Sequence, residues 1–584
     1  MMALSPRNIP QRGWTGLKIL ALAGITALAR GGGTVASTVG ARREYSIVLW
    51  NWTAPCANLN TFRRWARDGK HIGVTTITIS VPWNKLEPQR GRYEFSYIAR
   101  RLASAHKLGL RLRVLINTYY NGVRPGWLKV DNWRGPHGHT LPNSPASIND
   151  PRFWKAWEPL CTRLAAKFRG RHVIWSPFIG PDGELKYGGW ATFDQASLRL
   201  WRKSIAAHLR PGWLKRVVGG ARLPATPPMP GPTHGLPDRN PADRAFIAFR
   251  QHTWRVAVRR FVRAIRQGDP HGFISVPLGE SYRSQSAKFA NLDYYGLSRG
   301  ANEIVHSWDF YMHSAAHPHE HQAWEAAASI AAFQGITGLP ALFEFDSPAT
   351  MRNDGFSTPL LEHIARDVLQ CGGHGFQAAN FSYFHQMPSQ YPFLAFFGKI
   401  LSETPAYAPA PPNRTVLLFV SKWADYSYRE STDWLHQAQF GAWRMLRRNG
   451  YAVRFICEDD LRENLTGYRG LYVAFSPPQL IPPYESARLA KLEHAIPSIV
   501  EEPGIPAVKP GRMNTYTAHT PIGRLMTSDV HLPVAPMKKV LRTEPGRRVV
   551  LGYPLGYMWI CGHDHPAQQR ALKWAIQRTW GWSR

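Results

Sequence analysis

Between residue 46 and about residue 384 the chain alternates short apolar runs with amphipathic stretches. The runs are SIVLWNW (46–52), GVTTITISVPW (73–83), RLRVLINTYY (111–120) and HVIWSPFIG (172–180). They continue with GFISVPLGE (272–280), EIVHSWDFYMH (303–313), LPALFEFD (339–346) and GFQAANFSYF (375–384). Rich in Val, Ile, Leu, Phe and Trp, and without clean polar alternation, they predict strands buried on both faces. Between them, FSYIARRLASAHKLG (95–109) and DRAFIAFRQHTWRVAVRRFVRAIRQG (243–268) carry apolar residues at helical spacing. Eight strands alternating with helices over about 340 residues fit a (β/α)8 TIM barrel with insertions. A doubly wound sheet is the alternative, but no Gly-rich phosphate turn follows the first strand.

Two proline-rich segments interrupt the alternation. LPATPPMPGPTHGLPDRNP (223–241) holds seven prolines, excludes helix and central strand, and reads as an excursion within the fourth β-to-α connection. ETPAYAPAPPN (403–413) marks the end of the barrel. Beyond it the pattern restarts: TVLLFV (415–420), a helix over 433–450, AVRFIC (452–457), GLYVAFSPP (470–478), SIVEE (498–502), RVVLGYPLG (548–556) and a last helix over 565–582. Strand–helix alternation at this size predicts a small open α/β sheet. The expected division is a leader over 1–40, a barrel domain over 41–405 and an α/β domain over 413–584.

The leader reads as a signal peptide. Arg12 and Lys18 precede an apolar stretch, Ile19–Ala29, that ends in small residues. It is too short to span a bilayer, which takes about 20 residues. Export to a periplasm or secretion is the expectation. The five cysteines, Cys56, Cys161, Cys371, Cys457 and Cys561, are odd in number and far apart. They form neither a disulfide framework nor a CxxC zinc pair. With 72 Lys+Arg against 39 Asp+Glu the net charge is +33, which invites a polyanion reading. The basic residues are nonetheless spread through both domains. Arg255, Arg259, Arg263 and Arg266 recur at helical spacing and predict a solvated basic face, not a nucleic-acid site. Electrostatic association with anionic surfaces remains in keeping with the charge.

In a barrel the working residues project from the C-terminal strand ends. The fourth strand runs into GPDGELKYGGW, which places Glu184 in a Gly- and Pro-rich turn; the seventh ends in LFEFDSPATMRNDG, with Glu344 and Asp346 at its mouth. Strands four and seven lie across the barrel opening, so two carboxylates face each other over a ligand. Glycoside hydrolysis needs that pair: one protonated carboxyl for the leaving oxygen, one carboxylate to attack or to activate water. Aromatics gather at the same ends, at Trp50, Trp83, Tyr119, Trp308, Tyr311 and Tyr383. Their flat faces suit the C–H faces of pyranose rings, while Glu87, Asn117 and Asp182 offer hydrogen bonds to hydroxyls.

The stretch 76–120, with a Trp before Leu-Glu-Pro, then Gly and Tyr-x-Phe ahead of a helix, resembles family 42 β-galactosidases, retaining enzymes of the four/seven barrel clan. Residues 414 to about 502 resemble the flavodoxin-like (Rossmann-like) trimerisation domain of that family. The resemblance implies an exo-glycosidase acting by double displacement, with Glu184 as acid/base, Glu344 as nucleophile and Tyr311 positioned to hydrogen-bond the latter. It also implies a carbohydrate substrate and a homo-oligomer, a trimer by analogy. Two departures stand out: Gly183 occupies the place of the clan's Asn before the acid/base, and the family's four-cysteine zinc cluster is missing. GPDGELKYGGW also resembles the acid-bearing turn of family 14 β-amylases, inverting enzymes in which Glu344 would be a general base. A non-catalytic carbohydrate-binding barrel stays open as a third reading. His313, His317, His319 and His321, and the set Cys561, His563 and His565, match no zinc spacing. No metal, cofactor or nucleic acid is expected. The second domain offers no strand-end Cys with a His partner, so a second active site there is not expected.

Overall fold

Strand β1 (Glu44–Leu49) opens a closed parallel barrel completed by β2 (Thr76–Pro82), β3 (Arg111–Asn117), β4 (Val173–Phe178), β5 (Phe273–Pro277), β6 (Glu303–Trp308), β7 (Ala341–Phe345) and β8 (Gly373–Ala378), each paired with the next and β8 with β1. The computed structural model describes residues 43–50, 58–119, 122–141, 145–206, 210–231, 238–278, 293–308, 319–345, 357–379, 391–428, 433–474, 476, 478–496, 498–502, 542–544 and 548–550. All eight strands fall within the runs predicted from the sequence or overlap them. The leader, the cysteines at 56 and 561 and the last predicted helix lie outside the described residues.

The helices of the barrel are α1 (Leu59–His71), α2 (Trp83–Leu86), α3 (Ser96–Lys107), α4 (Pro151–Lys167), α5 (Gln195–Ile205), α6 (Gly212–Val218), α7 (Pro241–Gly268), α8 (Tyr294–Ser298), α9 (His319–Thr337), α10 (Thr358–Gln370) and α11 (Tyr391–Glu403). Their starts follow local chemistry. Asn58, Asp150, Asp194 and Asn240 cap α1, α4, α5 and α7 through side-chain oxygens, and Pro151 and Pro241 occupy first-turn positions where no N–H is needed. The proline-rich excursion does sit between β4 and α7, and α5 and α6 precede it. Trp190, Trp201, Leu214, Phe246 and Phe249 form a satellite core beneath it.

The strands differ from expectation in one respect. Along β2, Ile77, Ile79 and Val81 alternate with Thr76, Thr78 and Ser80, all of them buried. On β1, Ile47 packs outward onto Gly69 of α1, while Ser46 hydrogen-bonds Thr78 (2.7 Å). The apolar set meets the helices and the polar set faces the barrel axis. Alternation is therefore present; it divides interior from helix layer instead of core from solvent.

A second sheet follows: β9 (Thr415–Val420), β10 (Ala452–Ile456), β11 (Gly470–Ala474), β12 (Ile499–Glu501), β13 (Arg542–Glu544) and β14 (Arg548–Val550), in the order β10-β9-β11-β12-β14-β13. It is parallel except for the edge pair β13–β14, and β13 was not foreseen from the sequence. Helices α12 (Lys422–Tyr428), α13 (Asp433–Arg448) and α14 (Pro483–Ala495) accompany it. Both sheets belong to one compact unit that begins at Arg43. Gly335 of α9 lies so close to β10 that a Cβ there would stand 2.8 Å from the Phe455 carbonyl oxygen, and Arg454 Nε donates to the Gly335 carbonyl (3.1 Å).

The arginine face of α7 is not simply solvated. Arg255 donates to Asp293 Oδ1 (2.6 Å) and to Asp459 Oδ2 (3.2 Å), the latter just beyond β10; Lys422 of α12 also pairs with Asp459. Arg260 and Arg263 share Glu158 of α4. Part of the predicted basic stripe thus ties barrel to second sheet through buried carboxylates, a pairing that helical spacing alone does not reveal.

Candidate active site at the barrel mouth

After β4 the chain makes a 3-10 turn, Pro181–Gly183, that presents Glu184. The backbone doubles back over Gly180, where a Cβ would lie 2.1 Å from the Glu184 carbonyl oxygen, so only glycine fits. Gly183 has φ +88, a region that L side chains enter only under strain. That accounts for glycine where the resemblance would place Asn. The Leu185 N–H donates to the Pro277 carbonyl (3.0 Å), fastening the turn to the end of β5. Glu184 is buried and its carboxylate pairs with Lys186 Nζ at 2.5 Å. Beneath the turn Tyr187 packs between Trp133 (5.1 Å) and Trp254 (5.2 Å), and its hydroxyl meets Thr253 Oγ1 at 2.5 Å.

Glu344, on β7, is in register with Gln377 on β8 and with Ser307 on β6. Gln377 Nε2 donates to Glu344 Oε2. The amide oxygen of Gln377 accepts from Arg113 Nη1 (2.5 Å) and, more weakly, from Thr78 (3.4 Å). Arg113 Nη2 donates to Glu44 (2.6 Å) and to Glu303. A side chain on β3 that meets residues of β1, β6 and β8 at once runs through the barrel interior, and Arg113 is fully buried there. Burial alone would lower its pKa; Glu44, Glu303 and Glu344 together raise it above the ordinary arginine value. Burial pushes Glu303 up to about 7, against the pull of Arg113 and with a further push from Glu44. Burial likewise brings His374 down to about 4.

Glu184 and Glu344 line one cleft, together with Trp50, Ser176, Arg113 and Gln377. The two acids expected at opposite strand ends are thus brought to a single space. Trp50 stands edge-on to Phe178 (5.9 Å) at its wall. Tyr119 lies beside the acid turn, near Gly188, and edge-on to Trp133 (6.0 Å).

Three expected sugar ligands are placed otherwise. Trp83 is fully buried, edge-on to Trp127 and Phe153, and its indole N–H donates to Glu87 Oε2 (3.1 Å). Glu87 Oε1 accepts the Gly91 N–H (2.9 Å), so both of its oxygens serve the α2 corner. Asn117 is buried, with bonds to Ser80 Oγ (3.2 Å) and the Tyr119 N–H (3.1 Å) that shape the end of β3. None of the three is among the residues lining the cleft. Asp182 sits in the turn and Trp308 ends β6, with side chains outside the described set; Tyr311, Asp346 and Tyr383 lie outside the described residues altogether.

Arg113, Gln377 and Lys186 were not singled out from the sequence. The available signal was polarity inside an apolar run: Arg113 sits mid-strand in RLRVLIN and Gln377 in GFQAA. Carboxylate and imidazole atoms of Glu44, Glu303 and His374 lie within 4.8 Å of one another, a spacing fit for a metal ion. Yet Arg111 (2.5 Å) and Arg113 take the two oxygens of Glu44, and Arg113 also holds Glu303. Guanidinium groups supply the positive charge that a metal would bring. Beyond β10, Cys457 is buried and its thiol pushed well above its ordinary pKa, unlike a nucleophile. No helix among the described residues is long and apolar enough to cross a membrane.

No family model and no curated protein matches the chain. Solved structures do. A β-galactosidase from the Antarctic haloarchaeon Halorubrum lacusprofundi superposes with a TM-score of 0.57 at 14% identity, over 78% of this chain and 72% of that one. A catalytic mutant of a GH42 β-galactosidase from G. stearothermophilus gives 0.57 at 12% identity, over 80% and 72%. A β-galactosidase from the psychrophilic Marinomonas ef1 gives 0.53 at 12% identity, over 90% and 91%. At these identities the likeness is one of fold, and it agrees with the family resemblance carried by the motifs.

Proposed function

We propose that this protein is a glycoside hydrolase, β-galactosidase-like, that removes terminal sugars from oligo- or polysaccharides with retention of configuration. The observation that carries the reading is the meeting of Glu184, beyond β4, and Glu344, on β7, in one cleft at the barrel mouth. In the first half-reaction a carboxylate oxygen of Glu344 bonds to the anomeric carbon while the bond to the leaving oxygen breaks. Glu184 gives that oxygen its proton. In the second, Glu184 takes a proton from water, the water oxygen bonds to the anomeric carbon, and Glu344 departs as carboxylate. The Lys186 ammonium lies 2.5 Å from the Glu184 carboxylate. The first half then requires the leaving oxygen to displace Lys186 from the carboxyl.

The test is hydrolysis of a panel of aryl glycosides, β-galactosides included. Glu184→Gln and Glu344→Gln should each lower kcat at least ~10²-fold. Full activity in both variants refutes the assignment, and sugar binding without turnover by the wild type points to a non-catalytic barrel. Anomer analysis of the product by NMR separates retention, with carboxyls about 5–5.5 Å apart, from β-amylase-like inversion at about 6.5–9.5 Å. Export through the leader and assembly as a homo-oligomer belong to the same reading. The mass of protein recovered from the producing cell's exterior and light scattering test them.

A further inference from the structure

The amide of Gln377 stands between opposite charges. Its oxygen accepts from Arg113 Nη1 at 2.5 Å and its nitrogen donates to Glu344 Oε2. Turning the amide over would set NH2 against a guanidinium and oxygen against a carboxylate, losing both bonds, so charge fixes its orientation. Neither end is free to drift. Glu344 and Gln377 are register partners on adjacent strands, and Arg113 is pinned on its other side by Glu44 and Glu303. Gln377 and Arg113 are buried, in contrast to Glu344, which is partly exposed towards the mouth.

We propose that Gln377 is the positioning residue of Glu344. It holds Oε2 and relays the charge of Arg113 so that Glu344 stays ionised. This rests on the reading of Glu344 as the nucleophile. A carboxylate that must attack along one line gains from being held by rigid strands; a misplacement of about 1 Å can cost ~10²-fold in rate. Arg113 is suited to the distant end because it cannot lose its proton, and a buried amide transmits its field where water is excluded. The charged or titratable groups around this chain are Arg113 and Arg111 on β3, Glu44 on β1, Glu303 on β6 and His374 on β8, with Glu184 and its partner Lys186 on the opposite wall of the cleft.

Gln377→Met, Gln377→Glu and Glu344→Gln, compared with wild type on an aryl glycoside across pH, test the proposal. Gln377→Met removes both hydrogen bonds at similar volume. It should lower kcat by about 10- to 100-fold with little change in KM, and move the acid limb of kcat/KM to higher pH. Gln377→Glu keeps the shape and satisfies Arg113 but sets an acid against Glu344. The two then share a proton, and activity should fall at neutral pH and recover as pH rises. A purely structural role for Gln377 would lower the unfolding midpoint without shifting that limb. If Gln377→Met fails to fold, the limb of Gln377→Glu decides. An unshifted limb in the Gln377 variants, with Glu344→Gln inactive, overturns the proposal and leaves the nucleophile assignment standing. Full activity in Glu344→Gln overturns both.

Discussion

Replacing Glu303 by Gln removes one titrating carboxyl from the barrel interior while keeping its shape. The side chain of Glu303 is fully buried, accepts from Arg113, and faces Glu44 and, at 3.3 Å, His374 Nε2. Burial raises its pKa from the ordinary 4.5 to about 7. A raised value means that between those two pH values the native protein holds a proton that the unfolded chain has released. The stability it contributes is therefore whole below pH 4.5 and is lost as pH rises through 7. Moving the carboxyl from its ordinary 4.5 to about 7 amounts to roughly 3 to 4 kcal/mol. Gln stays neutral throughout, mimics the protonated acid and loses nothing over the same range. Equilibrium urea unfolding followed by tryptophan fluorescence, at several values from pH 4.5 to about pH 8, should show the variant gaining on wild type by that amount. A difference that does not change with pH refutes the reasoning. Such a constant difference would show that Glu303 is ionised throughout, its pair with Arg113 outweighing its burial.

Two further substitutions test the scaffold around the site. Arg255→Met leaves Asp293 and Asp459, both almost fully buried, without their guanidinium. Because Lys422 still pairs with Asp459, the loss should fall near the lower end of that for breaking a buried pair, about 3 kcal/mol in urea unfolding; an unchanged midpoint excludes the tie between barrel and second sheet. Gly180→Ala forces a methyl to within 2.1 Å of the Glu184 carbonyl oxygen. The acid turn should then shift and activity drop at least ~10²-fold while far-ultraviolet circular dichroism stays that of wild type; retained activity would show that the turn does not set Glu184.

Much of the architecture was legible because it follows from local rules. The eight barrel runs carry strand residues at strand length, and helices such as Pro241–Gly268 begin at a capping Asn followed by Pro. Glu184 was legible for a similar reason: a Gly- and Pro-rich turn straight after a buried run sets a side chain at a barrel mouth. Trp83 shows where local rules end. A Trp at a strand end looks the same whether it faces a ligand or packs, and here α2 begins at Trp83 and turns it beneath Trp127 and Phe153. Arg255 likewise has the helical spacing of a solvated residue, yet the fold brings Asp459 to it from 204 positions away.

By itself, then, the sequence determined the periodicity, the turn chemistry and the place of two candidate carboxylates at strand ends, since each depends on neighbours a few residues apart. What only the tertiary structure decided is which charges meet. Arg113 can stand inside the barrel because Glu44, 69 residues before it, and Glu303, 190 residues after it, close around it. A buried charge is tolerable only with its partners in place, and those partners are chosen by closure of the barrel, not by spacing along the chain.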